Sequence, residues 1–294
     1  MSSPAEALVR PRDVGQLLRS LVVLSKPGIT RMVLITTFCG AWAAPGPTDV
    51  VGLIAVVVGT GFVVAGANAL NMFLERDTDA FMTRTRERPL PSGRLEPDVA
   101  LAFGVGVAVV GLVVLAHFVS MAAVALAALA LLSYVLVYTP LKRVTSAALY
   151  VGAVPGALPP AIGYAAMTGK LESTGLFLFL ILLVWQLPHF IAISVFRSKE
   201  YANAGLKVGE YSLRSAKLHI VAFSALLLVT TLLPVFGGVG GVVYAVCAVL
   251  SGGAFLAWAL RGLRPDAEGP WARSLFLASM PHLVLVTATL VITA

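Results

Sequence analysis

The chain has 294 residues, of which 59% are hydrophobic and 12% charged, and it carries a net charge of +7. A soluble domain holds about twice that charged fraction, so composition excludes an ordinary water-soluble enzyme. The two cysteines, Cys39 and Cys247, both fall inside apolar runs and read as small core residues, with no disulfide framework or cysteine metal site to infer.

Apolar runs near twenty residues recur along the chain, each long enough to cross a hydrocarbon core about 30 Å thick as a helix. Helices are the expected spanning form because no water is available there to satisfy backbone groups. Residues 1–26 contain four basic groups and the amphipathic stretch VGQLLRSLVVL, with no small-residue cleavage pattern after it. They read as a cytosolic N-terminal arm, and residues 27–294 as a single intramembrane domain. Nine spans are predicted near 29–44, 51–74, 99–117, 121–139, 148–168, 175–196, 218–236, 241–260 and 273–293. Turn residues punctuate them at Pro45-Gly46-Pro47, Gly169-Lys170 and Gly237-Gly238.

With that threading, all but Lys170 of the 21 lysines and arginines fall on one side of the membrane. The excess of positive charge marks that side as cytoplasmic. The +7 is therefore mostly topology, and bases lying beside a bilayer do not predict nucleic-acid binding.

The segment NMFLERDTDAFMTRTRERPLPSGRL begins at residue 71, directly after the charge-free run VGLIAVVVGTGFVVAGANAL. Asn71, Glu75 and Asp79 are spaced four apart, so on a helix one amide oxygen and two carboxylates share a face. Hard oxygen ligands suit Mg²⁺, which binds through one or two carboxylates plus substrate phosphates. Asp77 is rotated off that stripe. The simpler alternative is that Glu75 and Asp79 mark the membrane boundary and pair with nearby arginines. Against it stand an amide inside an apolar run, which is costly unless paired, and the arginines Arg84, Arg86, Arg88 and Arg94 around a turn stiffened by Pro89, Pro91 and Gly93. Carboxylates, a metal and guanidinium groups together describe a diphosphate site.

YTPLKRVTS adds Lys142 and Arg143 on the same side, either as a positive-inside anchor or as part of that site. FRSKEYANAGLKVGEYSLRSAK adds Arg197, Lys199, Glu200 and Lys207, so the site is expected to draw on two halves of a bundle. His189 in WQLPHFIAISVF and His282 in MPHLV lie about two turns inside their spans. An intramembrane histidine is a functional candidate, or else hydrogen-bonds a neighbouring helix. His117 and His219 lie near span ends, where interfacial solvation accounts for them.

NMFLERDTD followed by RTRERPLPSG resembles the first signature of the UbiA-type intramembrane prenyltransferases, Asn-x3-Asp-x3-Asp. SKPGIT, YTPLKR, PGALPPAIGY and WQLPHFIAISVFRSKEYANAGLKV are similar to the haem-farnesylating branch of that superfamily, over residues 25–215. The resemblance implies an all-α polytopic membrane protein with nine helices bundled around a central cavity. It also implies Mg²⁺-dependent ionisation of farnesyl diphosphate and attack by a vinyl group of haem b. Asn71, Glu75 and Asp79 would be the catalytic metal-binding set, with Glu200 representing the second motif as a further metal ligand. Arg84, Arg88, Lys142, Arg143 and Lys199 would bind diphosphate, and His189 would contact haem. Trp185, Phe190 and Tyr164 are candidates for stabilising an allylic cation through their ring faces. The implied partners are farnesyl diphosphate, haem b and the lipid bilayer, with association of a haem A synthase left to test. Two positions depart from the superfamily pattern. Glu75 stands where the motif has Asp, and Glu200 alone, amid Arg197 and Lys199, stands where other branches have two aspartates four apart. A related enzyme acting on another aromatic acceptor, such as 4-hydroxybenzoate or a quinone precursor, is the next reading, and a transporter the third.

Overall fold

The computed structural model describes residues 13–46, 49–207 and 210–293. The first twelve residues of the predicted arm and Pro47 of the first turn lie outside the described residues. Among the described residues the regular elements are helices, with no strand.

The chain enters through α1 (Val14–Leu24), which buries Ser20 and Leu24 and turns Val14, Leu18 and Val22 outward. The predicted arm is thus seated on the bundle at this point, with Leu24 packed among Ala69, Met72, Leu90, Leu95 and Ala100. A 51° bend at Lys26 leads into α2 (Pro27–Trp42). Pro27 suits the first helical position, and the residue before a proline is disfavoured in the α region. Lys26 escapes into the left-handed region at φ 46°, a strained choice for a lysine.

Next comes α3 (Val50–Asp79), whose N-terminus is capped by Asp49 accepting from the Val51 N–H. Its 30 residues span about 45 Å at 1.5 Å per residue, so the C-terminal turns project well beyond a core about 30 Å thick. α4 (Pro97–Phe118) returns antiparallel against it, and α5 (Met121–Leu132) follows after a Ser120 cap. The helix then widens into a π-helical turn over Ser133–Tyr138 before the short α6 (Thr139–Leu141). Pro140 explains the widening: it has no N–H to donate, and its ring crowds the carbonyl four residues back.

The second half comprises α7 (Ala148–Thr168), α8 (Ser173–Phe196), the short α9 (Ser198–Asn203), α10 (Leu213–Phe236), α11 (Val242–Leu260) and α12 (Gly269–Thr293). α8 packs against α7, α10 and α12, and α7 against α2, α3 and α5, so these two helices join the halves. Outward-facing residues such as Val109, Val113, Leu136, Val229, Leu250 and Val284 are apolar and exposed, as expected where lipid is the solvent.

Each of the nine predicted segments contains a helix, but among the described residues the helices long and apolar enough to cross a membrane number seven, or eight if α1 and α2 form one bent span. α7 is the informative exception. It is long enough at 21 residues, yet it contains Pro155, Pro159 and Pro160 and is otherwise rich in glycine and alanine. Fifteen of its residues are buried, so protein and not lipid surrounds it, and small residues serve it better than oily ones. Its contact with α2 is close enough to require glycine. A Cβ at Gly163 would lie 1.9 Å from the Thr37 carbonyl oxygen, and one at Gly40 1.9 Å from that of Pro160.

Gly163→Leu should therefore force α2 and α7 apart. Overpacking of this kind costs about 1–3 kcal/mol, or roughly 2–4 °C of melting temperature per kcal/mol. Thermal unfolding of detergent-purified protein checks this against Gly106→Leu, a control on α4 where a Cβ would meet nothing within 4 Å.

Candidate active site

The last turns of α3 carry the stripe anticipated from its spacing: Asn71, Glu75 and Asp79 are all buried on one face. Asp77 is solvent-exposed and only loosely paired with Arg76 at 3.9 Å. Two carboxylates and an amide at the edge of a low-dielectric interior need compensation, and three cations from three different connections supply it. Lys142, following α6, puts its Nζ 2.7 Å from Glu75 Oε1. Arg88, in the loop after α3, puts Nη1 2.6 Å from Asp79 Oδ2. Lys26, at the α1–α2 bend, donates to Asn71 Oδ1 at 2.6 Å. The left-handed backbone at Lys26 is what aims this side chain across at α3.

Burial opposes the charge on Lys142, but the ring of Tyr138 beneath it and the carboxylate of Glu75 beside it outweigh that cost, so its ammonium is held above the usual lysine range. Asp79 Oδ1 is different from the other oxygens: it is buried and has no hydrogen-bond partner among the described residues. An ionised carboxylate oxygen left bare in such a place is a cation acceptor in waiting. Glu75 and Asn71 add a carboxylate and an amide on the same buried face of α3, and hard donors of this kind suit Mg²⁺ alongside phosphate oxygens. The loop bearing Arg88 is pinned to this end of α3, since buried Thr85 donates to the Asp79 carbonyl oxygen at 2.8 Å.

The second half reaches the same end. The Lys207 N–H donates to the Lys142 carbonyl oxygen at 3.0 Å, tying the loop after α9 to the loop after α6. Tyr201 of α9 sits at this junction. Burial pushes its hydroxyl above the usual tyrosine value against the pull of Arg84, Lys142 and Arg197, so these cations surround one point of the rim.

Four predicted residues stand apart from the stripe. Glu200 accepts from Arg197 Nη1 at 2.9 and 3.1 Å, one turn away on α9. No three of the described His, Cys, Asp and Glu residues come together as a metal set. Glu200, expected as a further metal ligand, is thus paired with Arg197 in this structure, apart from the α3 stripe. Arg143 also turns elsewhere, bonding Thr78 Oγ1 at 3.0 Å and the Leu74 carbonyl on the outer side of α3. Lys199 and Arg84 are exposed at the rim.

His189 lies deeper, on α8 and buried. Its ring stacks on Trp185 at 4.5 Å and lies 4.6 Å from Phe276 of α12. Ser279 Oγ lies 2.7 Å from the Phe276 carbonyl oxygen and 2.7 Å from His189 Nδ1. With its hydroxyl hydrogen on that carbonyl, Ser279 accepts from Nδ1–H, the tautomer that leaves the Nε2 lone pair free. Trp185 donates to the Ser279 carbonyl, locking the same contact from the other side. His282 does not join His189; it faces α11 and stacks on Phe255 at 5.4 Å.

Sequence reasoning did not pick out Lys26, Thr139 or Ser279. The signal for Lys26 was available: a lysine directly before a proline, at a break between two apolar helices. Thr139 and Ser279 are hydroxyl residues inside apolar runs, and only the fold reveals what they touch.

A helical bundle that crosses the bilayer and gathers carboxylates and cations at one end defines an integral, multi-pass membrane protein with a polar site capping an apolar interior. The chain belongs to the UbiA prenyltransferase family, which matches residues 33–280. It is 50% identical over 243 residues to a protoheme IX farnesyltransferase of Sorangium cellulosum (strain So ce56), covering 81% of this chain and 86% of that one. It is 41% identical over 288 residues to one of Anaeromyxobacter dehalogenans (strain 2CP-C), covering 97% of each. A third, of Myxococcus xanthus (strain DK1622), is 43% identical with 96% of each covered. Among solved structures, a digeranylgeranylglyceryl phosphate synthase superposes with a TM-score of 0.80 at 18% identity, covering 94% of this chain and 98% of that one. A UbiA homologue from Archaeoglobus fulgidus bound to GPP and Mg²⁺ does so with 0.65 at 13%, covering 92% and 99%. At these identities the structural likeness speaks for the fold.

Removing one partner of the Lys142–Glu75 pair leaves the other charge unpaired, which for a buried pair costs about 3–5 kcal/mol. Lys142→Met is expected to destabilise the protein by that order, and the double variant Glu75→Gln/Lys142→Met by less. Denaturant unfolding of both in detergent checks this; equal losses would mean that the pair is not coupled.

Proposed function

We propose that the chain transfers the farnesyl group of farnesyl diphosphate to a vinyl group of haem b, giving haem O and diphosphate. The observation that carries this is the α3 stripe with its bare Asp79 oxygen and three attendant cations, in a chain 41–50% identical to protoheme IX farnesyltransferases over most of its length. Asn71, Glu75 and Asp79 are the residues to hold Mg²⁺. The ion supplies Lewis-acid stabilisation of the negative charge that gathers on the departing diphosphate.

The remaining work belongs to the protein. Lys26, Arg88 and Lys142 face the stripe and offer their donors to phosphate oxygens, with Arg88 able to do so bidentately. Arg84 and Lys199 extend the same positive field along the exposed rim. As the allylic carbon–oxygen bond breaks, its electron pair leaves with diphosphate, and the surrounding cations stabilise that charge. The vinyl π electrons then form the new carbon–carbon bond. Water adds to the resulting porphyrin-side cation and loses a proton, completing a hydroxyethylfarnesyl group. Until that step the allylic cation must be kept from bulk water, which an apolar bundle interior provides. His189, whose Nδ1 is bonded to Ser279, is the residue to contact haem, through its iron. The concentration of lysine and arginine at one end supports a cytoplasmic-membrane protein with its N-terminus and active-site loops in the cytoplasm.

Membranes from cells expressing the chain, supplied with haem and farnesyl diphosphate, should yield a porphyrin with the mass of haem O. Absence of that product alongside prenylated 4-hydroxybenzoate would overturn the acceptor assignment. Asp79→Ala should lower turnover by about 10²–10³-fold, the scale for losing a charge-stabilising group, with the protein still inserted. Full activity of that variant at limiting Mg²⁺ would remove the metal role from α3. His189→Ala is expected to weaken haem retention, read from the Soret band of purified protein, more than farnesyl diphosphate affinity.

A further inference from the structure

Asn71 is the weakest ligand of the stripe, a neutral amide whose two ends differ in sign of charge. Only Oδ1 can face a cation; a half-turn of the amide would present an NH₂ group instead. The structure holds it from both sides. Lys26 Nζ donates to Oδ1 at 2.6 Å. Nδ2 then donates to Thr139 Oγ1 at 3.1 Å, in a contact where Asn71 and Thr139 are both buried. Thr139 must accept there, because its own hydroxyl hydrogen goes to the Tyr134 carbonyl at 2.8 Å.

That carbonyl is five residues back, and it also receives the Thr139 N–H, which is the hydrogen bond of the π-helical turn. The wide turn therefore fixes the hydroxyl rotor, the rotor holds the amide nitrogen, and the amide oxygen is left on the side where Lys26 lies. π-helical turns inside α-helices are rare and concentrate at functional sites. The two contacts on Asn71 differ in permanence. Lys26 is a flexible ammonium that a diphosphate can draw to its own oxygens, whereas Thr139 belongs to a packed helix and has no reason to leave.

We propose that Thr139 is a positioning residue for the metal–diphosphate site, held by the Ser133–Tyr138 π-turn so that its hydroxyl keeps Asn71 Oδ1 aimed at the cation. This rests on the assignment of Asn71, Glu75 and Asp79 as metal-binding residues.

Equilibrium Mn²⁺ binding, followed by electron paramagnetic resonance on the full-length purified protein with farnesyl S-thiolodiphosphate as an unreactive analogue, reads the effect without turnover. Partners that orient a ligand typically contribute 10–100-fold to metal affinity, so Thr139→Val should raise the Mn²⁺ dissociation constant about tenfold or more. Thr139→Ser, which keeps the hydroxyl, should restore binding to near that of the unaltered protein. Thr139→Ala gives the same comparison should the valine variant not fold. Unchanged Mn²⁺ binding in the hydroxyl-less variants, with binding weakened in Asn71→Ala, would overturn the proposal while leaving the metal site intact. Unchanged binding in Asn71→Ala and Asp79→Ala as well would instead overturn the metal assignment on which it rests.

Discussion

Two carboxylates at the inner edge of a membrane helix set the terms for the rest of this structure. Glu75 and Asp79 sit where an unpaired charge is expensive, and each is matched by one cation brought from elsewhere in the chain. Lys142 arrives through the α5–α7 connection and Arg88 through the 80–96 loop, with Lys26 joining them on Asn71 from the α1–α2 bend. Three connections are thereby drawn to one helix end, which is why a site that is polar throughout can sit on a bundle that is apolar throughout. The arrangement also makes the cations mobile partners. An anion with several strong acceptor oxygens competes for them directly, and what it releases is the hard-oxygen face of α3.

The same constraint explains how much was readable in the sequence. The stripe is local: four-residue spacing on a long helix fixes its shared face before any tertiary contact is known, and Asn71, Glu75 and Asp79 are indeed buried together. Helix placement was likewise legible, because apolar length dictates it. The span count was less so. α7 is buried by its neighbours, and its proline- and glycine-rich sequence no longer advertises a lipid-facing helix. Partner choice was the least legible property. Arg143 and Lys142 are adjacent in sequence and read alike, yet one braces the outer side of α3 and the other caps Glu75. Glu200 read as a metal ligand by motif position, but a short helix with an arginine three residues before it offered a nearer partner. Lys26 stood at a legible break before Pro27, but its partner 45 positions down the chain depends on a left-handed backbone that only the fold shows.

The hydroxyl residues carry a further lesson about how such a site is held. In an apolar bundle each buried donor must find an acceptor, and a serine or threonine bonded to its own helix backbone has one hydrogen committed and lone pairs to spare. Thr139 and Ser279 both do this, toward the carbonyls of Tyr134 and Phe276. Each is thereby converted into a fixed acceptor, and each uses it on one polar side chain of a neighbouring helix, Asn71 in one case and His189 in the other. Two chemically ambiguous groups, an amide and an imidazole, are thus each held by a hydroxyl that is itself anchored to helix backbone and not by solvent.

The asymmetry between the halves follows from the electrostatics of the proposed substrates. The proposed oxygen ligands lie on α3, while the facing loop after α8 presents Arg197, Lys199 and Lys207 with Glu200 already neutralised by Arg197. A second free carboxylate pair there would favour another divalent ion, but it would also place negative charge opposite the site proposed for two anionic substrates. Farnesyl diphosphate is anionic, and haem carries two propionates. For an acceptor with carboxylates of its own, a rim whose second half is basic admits the acceptor head group without a like-charge penalty. One cluster of hard oxygens then suffices, provided that its least charged member, Asn71, is kept facing the right way.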